Sequence, residues 1–305
     1  MSKKLDDLRR KIDSLDDKIH DVLMERAALI VDIAEEKRKE NMQFVQPARE
    51  AVMIRRLLKR HTGALPPRAV VRIWRELVGA VSLMQTGLKV SVSMEQDEVT
   101  LWEMAKDYFG SVVPMQKSSM PLTAIASVRE GESSFAVLPW PHESEENPWW
   151  TYLFNQREGE RMKIVCALPY GSREGEITCS SDKGLVVSKI DFIASGEDHS
   201  FIAIDVDRSV SRARIVDALK KLDFEPLSLH TMSRADAGGR SMHMAEIDDY
   251  LPEGDKRLKL IADQFEGQNA RCVAIGGYPV PPVYKDSGIQ KPVLSRKPDK
   301  KKTGT

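Results

Sequence analysis

The chain has 305 residues, 41% of them hydrophobic, enough for ordinary globular cores in one to three domains. Lys+Arg and Asp+Glu both number 46, which gives no net charge and argues against a protein that coats nucleic acid or an anionic membrane. Cys166, Cys179 and Cys272 form no CxxC pair or even framework, and the start, MSKKLDDLRRK, has no apolar core segment. Both features suit a reducing cytoplasm without a signal peptide. No apolar run approaches the roughly 18 residues of a membrane span.

In chain order, residues 4–39 carry one helical pattern. Leu5, Leu8, Ile12, Leu15, Ile19, Val22 and Ile33 recur at spacings of three and four, and Arg26 takes one turn of the series. Such a helix is about 54 Å long, too long for one small domain, and predicts pairing with another long helix, from a second chain. Pro47 opens a second helix with Ala51, Ile54 and Leu58 on its buried side. Pro66-Pro67 open a third, whose apolar face is Ile73, Trp74, Leu77, Val78, Val81 and Met84. Residues 1–87 are therefore an all-helical domain of three helices.

From Leu88 the texture changes. LKVSVSM, SSFAVLPW, RMKIVCALPY and LVVSKIDFIA read as strands, and EVTLWEMAKDYFG as a helix closed by Gly110. Residues 88–199 are thus an α/β region. Residues 200–284 alternate strand, helix, strand, strand, helix, strand, the ferredoxin-like βαββαβ order. Gly238-Gly239 reads as a hairpin turn. Residues 285–305 are basic and poor in apolar residues, which predicts a disordered tail. The six histidines have no zinc-ligand spacing, and no metal or cofactor is expected.

Polar residues that invade apolar stripes are the candidates for chemistry. Arg26 and Lys37, 11 residues apart, differ by about 20° around a helix and lie about 16 Å apart along it, so two long side chains can lean toward one small ligand. Arg9 lies about 25 Å before Arg26 on another face and reaches such a site only from a second chain. Gln85 continues the stripe of the third helix, and Glu50 lies beside Arg49 in the first turn of the second. Each has an ordinary explanation taken singly: Arg26 snorkels, Gln85 frays at a helix end, and Glu50 favours a positive helix N-terminus. Together they form a set of cations, an amide and a carboxylate, with no Ser-His, Cys-His or metal constellation.

These residues also carry a resemblance. The run LRRKIDSLDDKI, LMERAALIVDIAEEK, PAREAVMIRRL, IWRELVGAVSLMQ is similar, in order and spacing, to the all-helical chorismate mutases over residues 4–86. The resemblance implies a homodimer intertwined through the first helix and chorismate as substrate. It implies Arg9 entering from the partner chain, Arg26 on a carboxylate, and Lys37 on a carboxylate and the ether oxygen. It further implies Arg49 in support, Glu50 accepting the ring hydroxyl, and Gln85 donating to the ether oxygen. Gln46 stands where an aspartate is frequent, and Val81 where a serine is, which removes one hydroxyl contact to a carboxylate. The chemistry suits such a set. Chorismate to prephenate is a pericyclic rearrangement of a dianion that needs no nucleophile or cofactor, only a held conformer and donors for charge developing on the ether oxygen.

The remainder resembles the second half of the bifunctional mutase–prephenate dehydratases, with an ACT-like region last and TMSRADAGGR in the place of its effector loop. Ser233 and Arg234 are the candidate effector-binding residues there. Ile190, Asp191 and Phe192 stand where that family has Thr-Arg-Phe, and PWPHES lacks its Glu-Asn pair; His142 and Glu143 are candidates only as exposed loop residues. The usual glycine after the first ACT strand is replaced by Ser209 and Val210. The expectation is a cytoplasmic, dimeric chorismate mutase of the phenylalanine and tyrosine route, with a C-terminal half inactive as a dehydratase. That half would be structural, regulatory through phenylalanine, or a docking surface for another aromatic-pathway enzyme. The alternatives are a bifunctional mutase–dehydratase with amino-acid regulation, and a non-catalytic helical dimerisation module bearing a ligand-sensing domain.

Overall fold

The computed structural model describes residues 3–94, 99–156, 161–176, 179–232, 238–267 and 269–285. The first helix, α1 (Lys3–Lys39), runs 37 residues without a break. It stops where Asn41 takes φ +53°, a left-handed conformation that asparagine tolerates, and the Met42 N–H closes on the Lys37 carbonyl at 2.8 Å. Helices α2 (Pro47–Arg60) and α3 (Pro67–Thr86) each begin on the proline that the sequence marks, and Gly87 at φ +66° closes α3. Among the described residues of α1, Ala34 alone is buried. Its apolar seam lies open, with Ile12, Ile19 and Val22 at 57%, 59% and 61% exposure.

The rest of the chain is α/β. In order it comprises β1 (Val90–Ser93), α4 (Val99–Phe109), β2 (Met115–Ser118), α5 (Pro121–Glu130), β3 (Phe135–Pro139), β4 (Ser144–Glu145) and α6 (Thr151–Phe154). Then come β5 (Lys163–Leu168), β6 (Ser172–Arg173), β7 (Gly184–Ser188) and β8 (Asp198–Asp207). The last are α7 (Arg212–Lys220), β9 (Pro226–Met232), β10 (Arg240–Ile247), α8 (Lys256–Asp263), β11 (Arg271–Pro279) and β12 (Val283–Tyr284).

Ten strands form one sheet in the order β2-β1-β3-β7-β5-β11-β8-β10-β9-β4. The last stretch has the expected βαββαβ order and the antiparallel arrangement β11-β8-β10-β9. The sheet passes through the boundary near residue 200 without a gap, because β11 pairs β8 on one side and β5 on the other. Gly276 makes that junction possible. It has φ +108°, and a Cβ there would stand 2.2 Å from the Ile164 carbonyl oxygen. One core follows the sheet across the junction, with Leu138, Ile164, Phe201, Met244 and Ile275 in a single cluster.

The helical segment is fastened to this body at its third helix. In α3 a Cβ on Gly79 would lie 1.7 Å from the Phe109 carbonyl oxygen, so the end of α4 rests directly on the helix backbone. Beside it the Ser111 N–H donates to Glu76 Oε2 at 2.9 Å, and Arg72 pairs with Asp107. The strand expected through SKIDFIA ends at Ser188; residues 190–194 leave the sheet and cross to the helices.

Candidate functional site

Among the predicted residues, the structure brings Lys37, Arg49 and Glu50 together where α1 ends and α2 begins, and sets Gln85 of α3 against α1 at Ile30, two turns before Lys37. Lys37 is half-buried at the C-terminal end of α1, and its Nζ donates to the Phe44 carbonyl at 2.7 Å, which folds the α1–α2 loop under it. An ammonium has donors to spare after one such bond. Partial burial, and then the neighbouring Arg49, hold its pKa below the usual lysine range, while Glu50 pulls it back up. Gln85 Nε2 donates to the Ile30 carbonyl on α1 at 3.3 Å. That bond orients the amide and leaves its second N–H as a donor. Gln46 is the N-cap of α2 through its backbone alone, its carbonyl accepting from the Glu50 N–H at 3.0 Å. Val81 is half-buried on α3, and Arg26 is half-buried on α1. Arg9 is not brought to this site within the chain; it is exposed near the start of α1, 3.9 Å from Asp6.

Glu50 itself is committed in a way that the sequence did not announce. Its Oε2 accepts from Arg75 Nη1 at 2.7 Å, and Arg75 is 3% exposed. Arg75 Nε donates to the Tyr108 carbonyl at 2.7 Å, and its guanidinium lies 3.8 Å from the Tyr108 ring centroid and 5.2 Å from that of Tyr170. Burial opposes the charge on Arg75, but Tyr108 and Glu50 more than offset it, so the guanidinium stays ionised. In the sequence Arg75 lies off the apolar stripe of Trp74, Val78 and Val81 and reads as an ordinary exposed cation.

Residues 8–86 match the family model Chorismate mutase type II. The N-terminal helical segment is a domain of that type. The bifunctional chorismate mutase/prephenate dehydratase of Pseudomonas aeruginosa is 30% identical over 147 residues, covering 45% of this chain and 39% of that protein. The chain thus spans about two fifths of the length of the curated relatives that it matches. Two solved structures align with TM-scores of 0.42 and 0.41. They are GqqA, a quorum quenching acylase (9% identity, 63% of this chain and 94% of that one), and the prephenate dehydratase of Streptococcus mutans (12%, 65% and 99%). Likeness at that level carries no argument about chemistry.

Outside the mutase domain, the residues expected at a dehydratase centre have other engagements. The Asp191 N–H donates to Gln43 Oε1 at 2.9 Å and the Asp191 carbonyl accepts from Gln43 Nε2 at 3.3 Å, so the segment pairs with the α1–α2 loop. The Asp191 carboxylate takes Lys163 Nζ at 2.7 Å. Phe192 is buried against Tyr250, 5.1 Å between centroids, in space that Gly277 leaves open. Glu143, 81% exposed, pairs with Arg212 at 2.8 Å beside the edge strand β4, and the His142 carbonyl accepts from His230 Nδ1 at 3.0 Å. These contacts fasten residues 190–194 to β5 and the α1–α2 loop, and residues 142–145 to the β9 edge.

A cavity of about 310 Å³ lies between the start of α2 and residues 191–194. It takes in Gln46, Arg49, Asp191 and Phe192 but not Lys37, Glu50 or Gln85, so it adjoins part of the predicted set without coinciding with it. In the βαββαβ stretch, Val210 is 4% exposed and packs in the core cluster with Ile215 and Leu219, filling the place where a glycine would leave room. Ser233 and Arg234 lie outside the described residues. Among the described residues, no helix is long and apolar enough to cross a membrane.

Proposed function

We propose that this protein is a chorismate mutase, converting chorismate to prephenate. The observation that supports the reading is the grouping of Lys37, Arg49 and Glu50 where α1 meets α2, with Gln85 of α3 bonded to α1 two turns earlier, inside the stretch that matches the mutase family. Arg26 and Lys37 meet the two carboxylates of the substrate from α1. Lys37 and the spare N–H of Gln85 face the ether oxygen, where negative charge grows as the C–O bond breaks. Glu50 accepts the ring hydroxyl and fixes the ring. The work is the holding of a compact conformer and the meeting of developing charge, and no protein atom forms a bond to substrate.

The site is completed by a second copy. Arg9 lies too far along α1 to serve its own Lys37, and the open seam of Ile12, Ile19 and Val22 gives the helix an apolar face for an antiparallel partner. The protein is then a cytoplasmic homodimer of the phenylalanine and tyrosine route. Its C-terminal half, a reduced dehydratase-like region with an ACT-like end, is inactive as a dehydratase, since Asp191 is spent on Lys163 and Gln43. Protonation of a leaving hydroxyl needs a positioned acid, and the expected segment offers none. The test is incubation with chorismate, then with prephenate, with products separated chromatographically. Prephenate from the first and no phenylpyruvate from the second is expected; phenylpyruvate from the second supports the bifunctional alternative. Turnover of neither substrate by a folded dimer would leave only the ligand-sensing module.

A further inference from the structure

The buried cation beside Glu50 has no part in the reading above, yet it is firmly held, with an ion pair, a backbone bond and a ring contact. Arg75 sits on α3 with Nη1 on Glu50 and Nε on the backbone of α4. Its guanidinium lies against two rings that belong to the α/β half, Tyr108 at 3.8 Å and Tyr170 at 5.2 Å. Tyr108 in turn packs edge-on against Tyr170, 5.4 Å between centroids, so the two rings brace one another. A guanidinium is a rigid planar fork; once Nε is bonded and the plane is seated against the Tyr108 ring, the direction of Nη1 is fixed as well. Glu50 therefore receives its orientation from the α/β half of the chain through Arg75.

We propose that Arg75 is a positioning residue for Glu50, and that the α/β half completes the mutase site by holding Arg75 against the paired rings of Tyr108 and Tyr170. This rests on the mutase reading above. It gives the C-terminal half a task that needs no ligand and no chemistry of its own. A lone structural ion pair would stabilise the fold without caring which way the carboxylate points, and this distinction is measurable.

The experiment uses the full chain and initial rates of chorismate consumption, scaled to folded protein by near-ultraviolet circular dichroism. Wild type, Glu50→Gln, Arg75→Met, Arg75→Lys, Tyr170→Leu and the double variant Glu50→Gln/Arg75→Met are compared. Arg75→Met is expected to lower kcat/KM about tenfold or more, and the double variant to lose no more than the worse single variant, because both act through one carboxylate. Arg75→Lys keeps the charge but not the fork, and recovers part of the loss. Should Arg75→Met fail to fold, Tyr170→Leu decides: it lowers kcat/KM in the wild-type background and has no effect on the Glu50→Gln background. Losses that multiply in the double variant, or wild-type kcat/KM in folded Arg75→Met or Tyr170→Leu, overturn the proposal while leaving the mutase reading intact. A wild-type protein without chorismate turnover overturns that reading, and the role of Arg75 with it.

Discussion

Arg75 Nη1 and Glu50 Oε2 lie 2.7 Å apart, with the two side chains only 4% and 11% exposed. A pair this deep is costly to break from one side. Glu50→Ala leaves a buried guanidinium without its anion and is expected to reduce stability by about 3–5 kcal/mol, whereas Glu50→Leu/Arg75→Met, which removes both charges, is expected to cost much less. Urea denaturation of the three proteins measures the difference; equal midpoints for Glu50→Ala and wild type would refute it.

The seat of α3 on α4 makes a second prediction. Gly79→Ala places a methyl group 1.7 Å from the Phe109 carbonyl oxygen by ideal geometry, so backbone must move. A loss of about 1–3 kcal/mol is expected. Because α3 also carries Arg75 and Gln85, turnover should fall along with the melting temperature. An unchanged melt would mean that the two helices do not meet as closely as described.

Subunit exchange tests the shared site. Arg9→Ala and Arg26→Ala homodimers should each be nearly inactive. Mixed in equal amounts and allowed to exchange, half of the dimers are hybrids, and each hybrid keeps one site with both arginines. About a quarter of wild-type turnover should return. Absence of recovery in a mixture proven to contain hybrids would place Arg9 and Arg26 in the same subunit's site, or outside it.

Acid sensitivity should arise in the βαββαβ stretch. His243 is 3% exposed, and burial, with Arg212 second, pushes its pKa down to about 4. Burial lowers His230 as well. A histidine whose folded pKa lies below its unfolded value takes its proton first in the unfolded chain. Stability therefore falls as pH drops from about 6.5 toward 4. Glu246 adds loss at lower pH. Burial would raise its pKa, but bonds from His199, Tyr278 and Ser228 outweigh that and hold it down, so its contribution is present above the unfolded carboxylate pKa and lost as pH falls through the folded one. His243→Asn should melt with a shallower pH dependence between 6.5 and 4 than wild type; an identical slope contradicts the assignment.

What could be read without coordinates was the part governed by local rules. The long periodicity of residues 4–39, Pro47 and Pro67 at helix starts, and the alternation after residue 200 each specify their element from nearby residues, and the structure follows them. Lys37, Glu50 and Gln85 stood out because a polar residue in an apolar stripe needs a reason. Arg75 did not, since its reason lies on Tyr108 and Tyr170, 33 and 95 positions away in the chain. Strand β2 is not legible because MQKS is a mostly exposed edge with no alternation. The extended reading of SKIDFIA failed for a long-range reason as well: Gln43 and Lys163 draw Asp191 out of the sheet.

The central claim meets its most direct test in the absorbance decay of chorismate on addition of the wild-type protein and of Lys37→Ala. The account predicts saturable conversion to prephenate by the wild type and a loss of about two orders of magnitude or more in kcat/KM for Lys37→Ala, which removes a donor to the developing oxyanion. A folded Lys37→Ala protein that turns over chorismate at near the wild-type rate would contradict it.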